Sequence, residues 1–202
     1  EWGKDVVCRL NGMFAFLIFD ERSRTLLAAR DHFGIKPLYW SLVDDALIYA
    51  SEIKALLQWP GVRPQVNAAA LQEYVTFQHT LDDATLFRGI WKLRPAHLQI
   101  VAVDTLAIRA ERYWEPDFSI RREWAEERAV EELRALLVDS ARLQVRSDVP
   151  VGAYLSGGLD STTLVACAVQ TSGDPARVVA ECLHFEAAMH DEEKHFATLV
   201  AR

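Results

Sequence analysis

The sequence predicts two fold classes in succession, an α+β part followed by an α/β part. Three observations carry this reading. Residues 13–50 hold short apolar runs separated by polar turns, the pattern of antiparallel strands. Residues 97–114 repeat it after a helical stretch. From Val149 onward an apolar run, a serine-glycine turn, a helical pattern and a second apolar run succeed one another, as in a strand–helix–strand unit of a parallel sheet.

Taken in order, Glu1–Leu10 reads as the end of a helix, with Gly12 as its stop. Met13–Phe19 is a strongly apolar strand, Asp20–Arg24 a polar turn, and Thr25–Arg30 the returning strand. His32–Pro37 is a loop. Leu38–Trp40 and Ala46–Ala50 form a further pair around Asp44 and Asp45, and together these runs predict an antiparallel meander. Ser51 is placed to cap a short helix reaching Leu57, which must stop before Pro60 and Gly61. Asn67 is placed to cap another, Ala68–Gln78, with Leu71, Tyr74 and Val75 along one face. His97–Val103 alternates as a strand, and Ile108–Trp114 pairs back with it.

Glu115-Pro116-Asp117 is the expected domain boundary, dividing the chain into 1–115 and 116–202. Beyond it Glu123–Gln144 is a charged amphipathic helix, with Val130, Leu133, Leu136, Leu137, Ala141 and Gln144 tracing its stripe. Arg142 and Arg146 are read as solvated or paired with glutamates. Val151–Leu155 is a buried strand, a helix follows, Ser172–Pro175 breaks it, and Val178–Phe185 is a strand parallel to the first.

Composition narrows the function. A net charge of -7 argues against general nucleic-acid binding. There is no apolar run of about 18 residues to cross a membrane, and the first residues lack the features of a signal peptide. Three cysteines, Cys8, Cys167 and Cys182, are odd in number and lack metal spacing, which fits a reducing cytoplasm. His79 and His97 read as surface or packing residues. His190 and His195 lack the spacing of a helical zinc pair.

Chemistry concentrates at Leu155-Ser156-Gly157-Gly158-Leu159-Asp160-Ser161. Two glycines let backbone approach a ligand and can take positive φ. The helix start after them offers unpaired N–H groups and the positive end of a dipole, which suits an anion. Ser156, Ser161, Thr162 and Thr163 add hydroxyls, and Asp160 can hold a metal ion that screens phosphate charge. The common P-loop requires a lysine after its last glycine, and none lies near this turn. A plain serine-glycine turn in a Rossmann-like domain is the alternative.

The run Ser156–Ser161 resembles the SGGxDS pyrophosphate loop of ATP pyrophosphatases. A second resemblance covers the earlier part. Asn11–Phe16, Arg30–Tyr39, Ala50–Leu56 and Thr85–His97 look like the later glutaminase domain of glutamine-hydrolysing asparagine synthetases, with Ala96 in place of a glycine. The resemblance implies the C-terminal portion of an N-terminal-nucleophile α/β/β/α sandwich in 1–115. For 116–202 it implies the first βαβ unit of an ATP pyrophosphatase domain. It further implies ATP and Mg²⁺ as requirements, and aspartate and glutamine as substrates. It implies ATP contacts from Leu155 to Ser161, an adenine contact at Leu183, Mg²⁺ at Asp160 and an ammonia-tunnel position at Met13. His184 stands where the family has a glycine. The family's glutaminase nucleophile is an amino-terminal cysteine, whereas residue 1 is Glu1 and Cys8 is not terminal. The 202 residues are therefore expected to be an internal segment of a longer enzyme, without glutaminase catalytic residues and inactive alone. A homodimer, a cytoplasmic location and no membrane or nucleic-acid partner complete the expectation. A related enzyme with another carboxylate substrate, such as a β-lactam synthetase, or a non-catalytic scaffold, remains the alternative.

Overall fold

The computed structural model describes residues 2–119, 125–183 and 192–201. The expectations placed on Glu123, His184, Phe185, His190 and Asp191 lie outside the described residues. The chain divides into two compact units, Glu1–Phe118 and Ser119–Arg202.

The first unit opens with a helix where one was expected, Gly3–Arg9, of the 3-10 type. Strands β1 (Ala15–Asp20) and β2 (Thr25–Arg30) form the expected hairpin. β3 (Tyr39–Val43) and β4 (Ala46–Ala50) form the next. The predicted meander does not form, because β2 never pairs with β3. Instead β6 (His97–Ala102) takes the free edge of β2, and β7 (Ala107–Arg112) follows it, giving an antiparallel sheet in the order β1-β2-β6-β7. β3 is central to a second sheet, β4-β3-β5, whose last strand is only Trp91–Lys92, too short for any period to mark it.

The chain leaves the first sheet at Asp31 for a physical reason. The Asp31 carboxylate is buried at 1% exposure and accepts from four backbone N–H groups: Phe14 and Phe33 at 3.2 Å, Ile35 and Lys36 at 2.9 Å. Those bonds curl residues 31–36 into a loop and end the strand. Burial pushes the Asp31 carboxyl up, but the N–H bonds together outweigh it and hold the group below the ordinary aspartate range. The neighbouring Arg30 guanidinium clasps the same loop from the other side, donating to the carbonyls of Gly34 and Leu93 at 2.6 Å and of Lys36 at 2.8 Å.

β2 is pressed on both faces, which explains its paired alanines. Ala28 and Ala29 are fully buried. On one side Val7 and Leu98 pack with Ala29; on the other Leu38 and Leu93 pack with Ala28, joined by Tyr49 of β4. Tyr49 also donates its hydroxyl to Gln99 of β6 at 2.7 Å, so the two sheets are tied by a hydrogen bond within their packing.

Helix α1 is short, Ile53–Leu56, and its N-cap position is Glu52. Ser51 is thus one residue too early to cap it, a correction to the sequence reading. Helix α2 (Ala68–Phe77) has the expected cap: Asn67 Oδ1 accepts from the Ala70 N–H at 3.4 Å. Asn67 Nδ2 donates to the Thr85 carbonyl at 3.1 Å, fastening the helix start to the 85–90 turn. The face that Leu71, Tyr74 and Val75 share is largely exposed, at 42%, 46% and 76%, and Ala70 is the buried residue. Fastening at Asn67 turns that stripe outward. Asn67→Ala removes both bonds and is expected to lower stability by about 1 kcal/mol, read from the denaturant midpoint of the first unit.

In the second unit, α3 (Glu126–Gln144) carries the predicted stripe, but Val130, Leu133 and Leu136 are 58–67% exposed and only Ala141 is buried. Arg142, read as solvated or paired with a glutamate, pairs instead with Asp139 at 2.5 Å. β8 (Val151–Tyr154) and β9 (Val178–Glu181) pair in parallel, from Val151↔Val178 to Tyr154↔Glu181. Helix α4 (Leu159–Ser172) connects them and lies along α3. It ends at Gly173, whose φ of 73° supplies the left-handed C-cap. Helix α5 (Glu192–Val200) follows β9 in the sequence. Among the described residues, no helix is long and apolar enough to cross a membrane.

Candidate phosphate-binding site

The expected chemistry falls at the carboxyl end of β8, where ligands of open parallel sheets bind. Leu155 is 3% exposed and anchors the turn, its N–H donating to the Glu181 carbonyl at 2.8 Å. The chain then turns through Ser156, Gly157 and Gly158 and enters α4 at Leu159.

The two glycines do different work. Gly157 alone takes the left-handed conformation, at φ 78°. Gly158, the N-cap of α4, has φ -72°, so the expectation of positive φ holds at one glycine only. A Cβ on Gly157 would lie 2.4 Å from Phe196 Cβ and 2.6 Å from the backbone N of Ala197. Both conformation and space exclude a side chain there.

Two serines brace the turn. The Ser161 hydroxyl accepts from the Ser156 N–H at 3.3 Å, lies 3.0 Å from Ser156 Oγ, and donates to the Gly158 carbonyl at 3.2 Å. Ser156 Oγ accepts from the Gly158 N–H at 3.4 Å. Thr162 N–H donates to the Gly158 carbonyl at 3.0 Å and closes the first helical turn. The N–H groups of Leu159, Asp160 and Ser161 keep no partner among the described residues, as helix geometry requires of a first turn. They present about half a positive charge to solvent.

The two threonines do not serve as expected. Thr163 donates its hydroxyl back to the Leu159 carbonyl at 2.8 Å, inside the helix. Thr162 Oγ1 is buried and has no partner among the described residues. Asp160 is exposed in the first turn, where a carboxylate favours the dipole yet competes with an incoming anion. Bound to a cation it would instead join the two. Among the described residues no group of three or more His, Cys, Asp or Glu could hold a metal. A single carboxylate still suffices for Mg²⁺, which keeps waters and takes phosphate oxygens as its other ligands.

Leu183 lies two residues beyond β9, 67% exposed, past the same strand ends as the turn. Met13 lies in the first unit just before β1, 43% exposed, and no feature of the structure assigns it a duty. The structure therefore gathers Leu155–Ser161 into one turn of the second unit, while Met13 belongs to the first. The residues missed are Phe196 and Ala197, which stand against Gly157. Nothing in their own sequence context announces a contact made across some forty residues.

Residues 1–114 match the family profile described as a glutamine amidotransferase domain, and residues 132–202 that described as asparagine synthase. The first part is thus of the glutamine amidotransferase class. With both domains in this order, the chain belongs to the glutamine-hydrolysing asparagine synthetase family. It is similar to asparagine synthetase [glutamine-hydrolyzing] 3 of Bacillus subtilis (strain 168), with 38% identity over 83% of this chain and 27% of that protein. It is similar to putative asparagine synthetase [glutamine-hydrolyzing] 2 of Methanocaldococcus jannaschii, with 35% identity over 81% of this chain and 32% of that protein. Amidase chry2 of Gibberella zeae is 34% identical over 81% of this chain and 24% of its own length. The chain spans about a quarter to a third of the length of these relatives. A solved glutamine phosphoribosylpyrophosphate amidotransferase from B. subtilis aligns at TM-score 0.34 and 17% identity, over 89% of this chain and 34% of that one, too slight a likeness to bear on the fold.

Proposed function

We propose that this chain is part of an ATP-dependent amide ligase that makes asparagine from aspartate, with glutamine as the nitrogen donor. On this reading residues 1–115 belong to the glutaminase domain and 116–202 begin the synthetase domain. The observation that carries it is the turn itself. Three amides of α4 that have no partner among the described residues, and two serine hydroxyls, lie about a glycine that has no room for a side chain, at the end of a parallel strand. That is a cradle for phosphate oxygens.

A carboxylate is a poor acyl donor until one of its oxygens becomes part of a leaving group. In the proposed reaction an aspartate side-chain oxygen attacks the α-phosphorus of ATP, the bond to the β-phosphate bridge breaks, and pyrophosphate departs. Ammonia released from glutamine then attacks the acyl carbon and AMP leaves. The amides of Leu159, Asp160 and Ser161 would hold pyrophosphate oxygens as charge develops on them, with the Ser156 hydroxyl adding a donor and the Ser161 hydroxyl bracing the turn. Leu155 would fix the turn to the sheet, Gly157 and Gly158 would let the phosphates approach, and Leu183 would meet the adenine. Asp160 would supply one ligand to Mg²⁺, whose chemistry is to neutralise phosphate charge. Met13 is proposed to lie on the ammonia route.

The test is pyrophosphate release by the complete protein that contains this chain, with a panel of carboxylates. Aspartate-dependent release together with asparagine formation is the expected result. Ser161→Ala should raise KM for ATP about tenfold, since it removes the hydroxyl that braces the cradle, worth about 1.4 kcal/mol. The amidase-named relative favours a second reading, in which the acceptor carboxylate is not aspartate. Release that depends on another carboxylate would select it.

A further inference from the structure

Helix α5 is the back wall of the turn. The nearest atoms to a Cβ built on Gly157 are Phe196 Cβ at 2.4 Å, with Ala197 N and Phe196 C at 2.6 Å. Two of the three are backbone, so α5 meets Gly157 with its main chain. Close approach of that kind requires a small residue on the helix, and Ala197, 5% exposed, is the buried residue of the described part of α5. The Phe196 ring stays half exposed, so its size is not what closes the contact.

Among the described residues, little else holds the turn. Ser156, Gly158, Leu159 and Asp160 are exposed. Apart from the Leu155 anchor, the turn's side-chain bonds run between Ser156, Gly158 and Ser161, within the turn itself. The packing that fixes Gly157 comes from an element starting some thirty-five residues later.

From this contact we infer that Ala197 is a positioning residue for phosphate binding: it lets α5 press on Gly157 and so holds the amides of α4 where an anion meets them. The inference rests on the phosphate-cradle reading above and adds an element that reading does not require. It has a reciprocal consequence. If the position of α5 sets the shape of the cradle, a ligand in the cradle stabilises α5 by the same free energy. On this inference a larger side chain at the buried position 197 lifts the helix, leaving the amides intact but misplaced.

Two measurements on the complete protein test this. Ala197→Leu should raise KM for ATP about tenfold with kcat at saturating ATP close to wild type, and Ala197→Ser should restore it. In the wild type, inorganic pyrophosphate should slow amide hydrogen exchange throughout α5 as well as in the first turn of α4. If pyrophosphate protects α4 and leaves α5 unchanged, the inference is overturned even where Ala197→Leu fails to fold. A folded Ala197→Leu with wild-type KM overturns it equally. Should pyrophosphate and ATP protect neither helix, the cradle reading itself fails, and with it this inference.

Discussion

Gly157→Ala is expected to lower the ATP-dependent rate of the complete protein on the order of 100-fold, measured as pyrophosphate release at fixed aspartate and glutamine. Two effects add. The left-handed conformation at φ 78° costs an alanine about 1–2 kcal/mol. The new methyl would also meet Phe196 and Ala197 at 2.4–2.6 Å, well inside contact distance, and two of the three nearest atoms are backbone that cannot rotate away. Relief requires that the turn or α5 move, and either displaces the amides of Leu159–Ser161. A loss of about 3 kcal/mol of transition-state stabilisation corresponds to that hundredfold. Gly158→Ala is the control. With φ -72° and its nearest neighbour, Ser156 Oγ, at 3.5 Å, it accepts a methyl in ordinary contact and should lose far less. Glutamine hydrolysis by the same preparation reports whether the first unit remains folded. Equal rates for the two glycine variants would remove the turn from the mechanism.

The largest stability effect belongs to Asp31. Asp31→Ala should destabilise the first unit by about 2–4 kcal/mol in denaturant titration followed by tryptophan fluorescence, because it removes a buried carboxylate that four part-buried N–H donors now share. Asp31→Asn should fall between, since an amide offers one accepting oxygen and turns an NH₂ toward the remaining donors. The pH dependence has a definite sign. The folded group titrates below its unfolded value, so its stabilisation is fully present above the ordinary aspartate value of about 3.9 and is lost as pH falls through the lower, folded value. Wild type should therefore lose stability more steeply than Asp31→Asn below about pH 4. Parallel acid profiles for the two proteins would contradict this account.

These two sites differ in how far they could be read from the sequence. The turn at Ser156–Ser161 was legible because its chemistry is local: glycine, hydroxyls and a helix start lie within six residues. Hairpin β1–β2 was legible for the same reason, as were the Asn67 cap and the parallel pairing of β8 with β9. What stayed hidden was non-local. β2 pairs with β6 and not with β3, because Asp31 gathers four amides from both sides of itself, and a lone aspartate after a strand looks like any turn residue. Gly157 is closed off by α5, and neither alanine nor phenylalanine at that spacing is unusual. The helix stripes failed in another way. Periodicity finds the apolar face of α2 and α3, but it does not say what covers that face, and both are largely exposed among the described residues.

The pairing of β2 with β6 also sets how this unit must fold. Thr25↔Ala102 and Ala29↔Leu98 are neighbours in the sheet, and everything that makes β3, β4, β5, α1 and α2 lies on the intervening chain. Closing a span of about 70 residues costs roughly 4 kcal/mol of chain entropy before the new ladder repays any of it. The hairpins β1–β2 and β3–β4 bridge short turns and can form early, so the pairing of β2 with β6 is the slow event. Substitutions in β6 should therefore retard refolding, while those in the β1–β2 turn should leave its rate nearly alone.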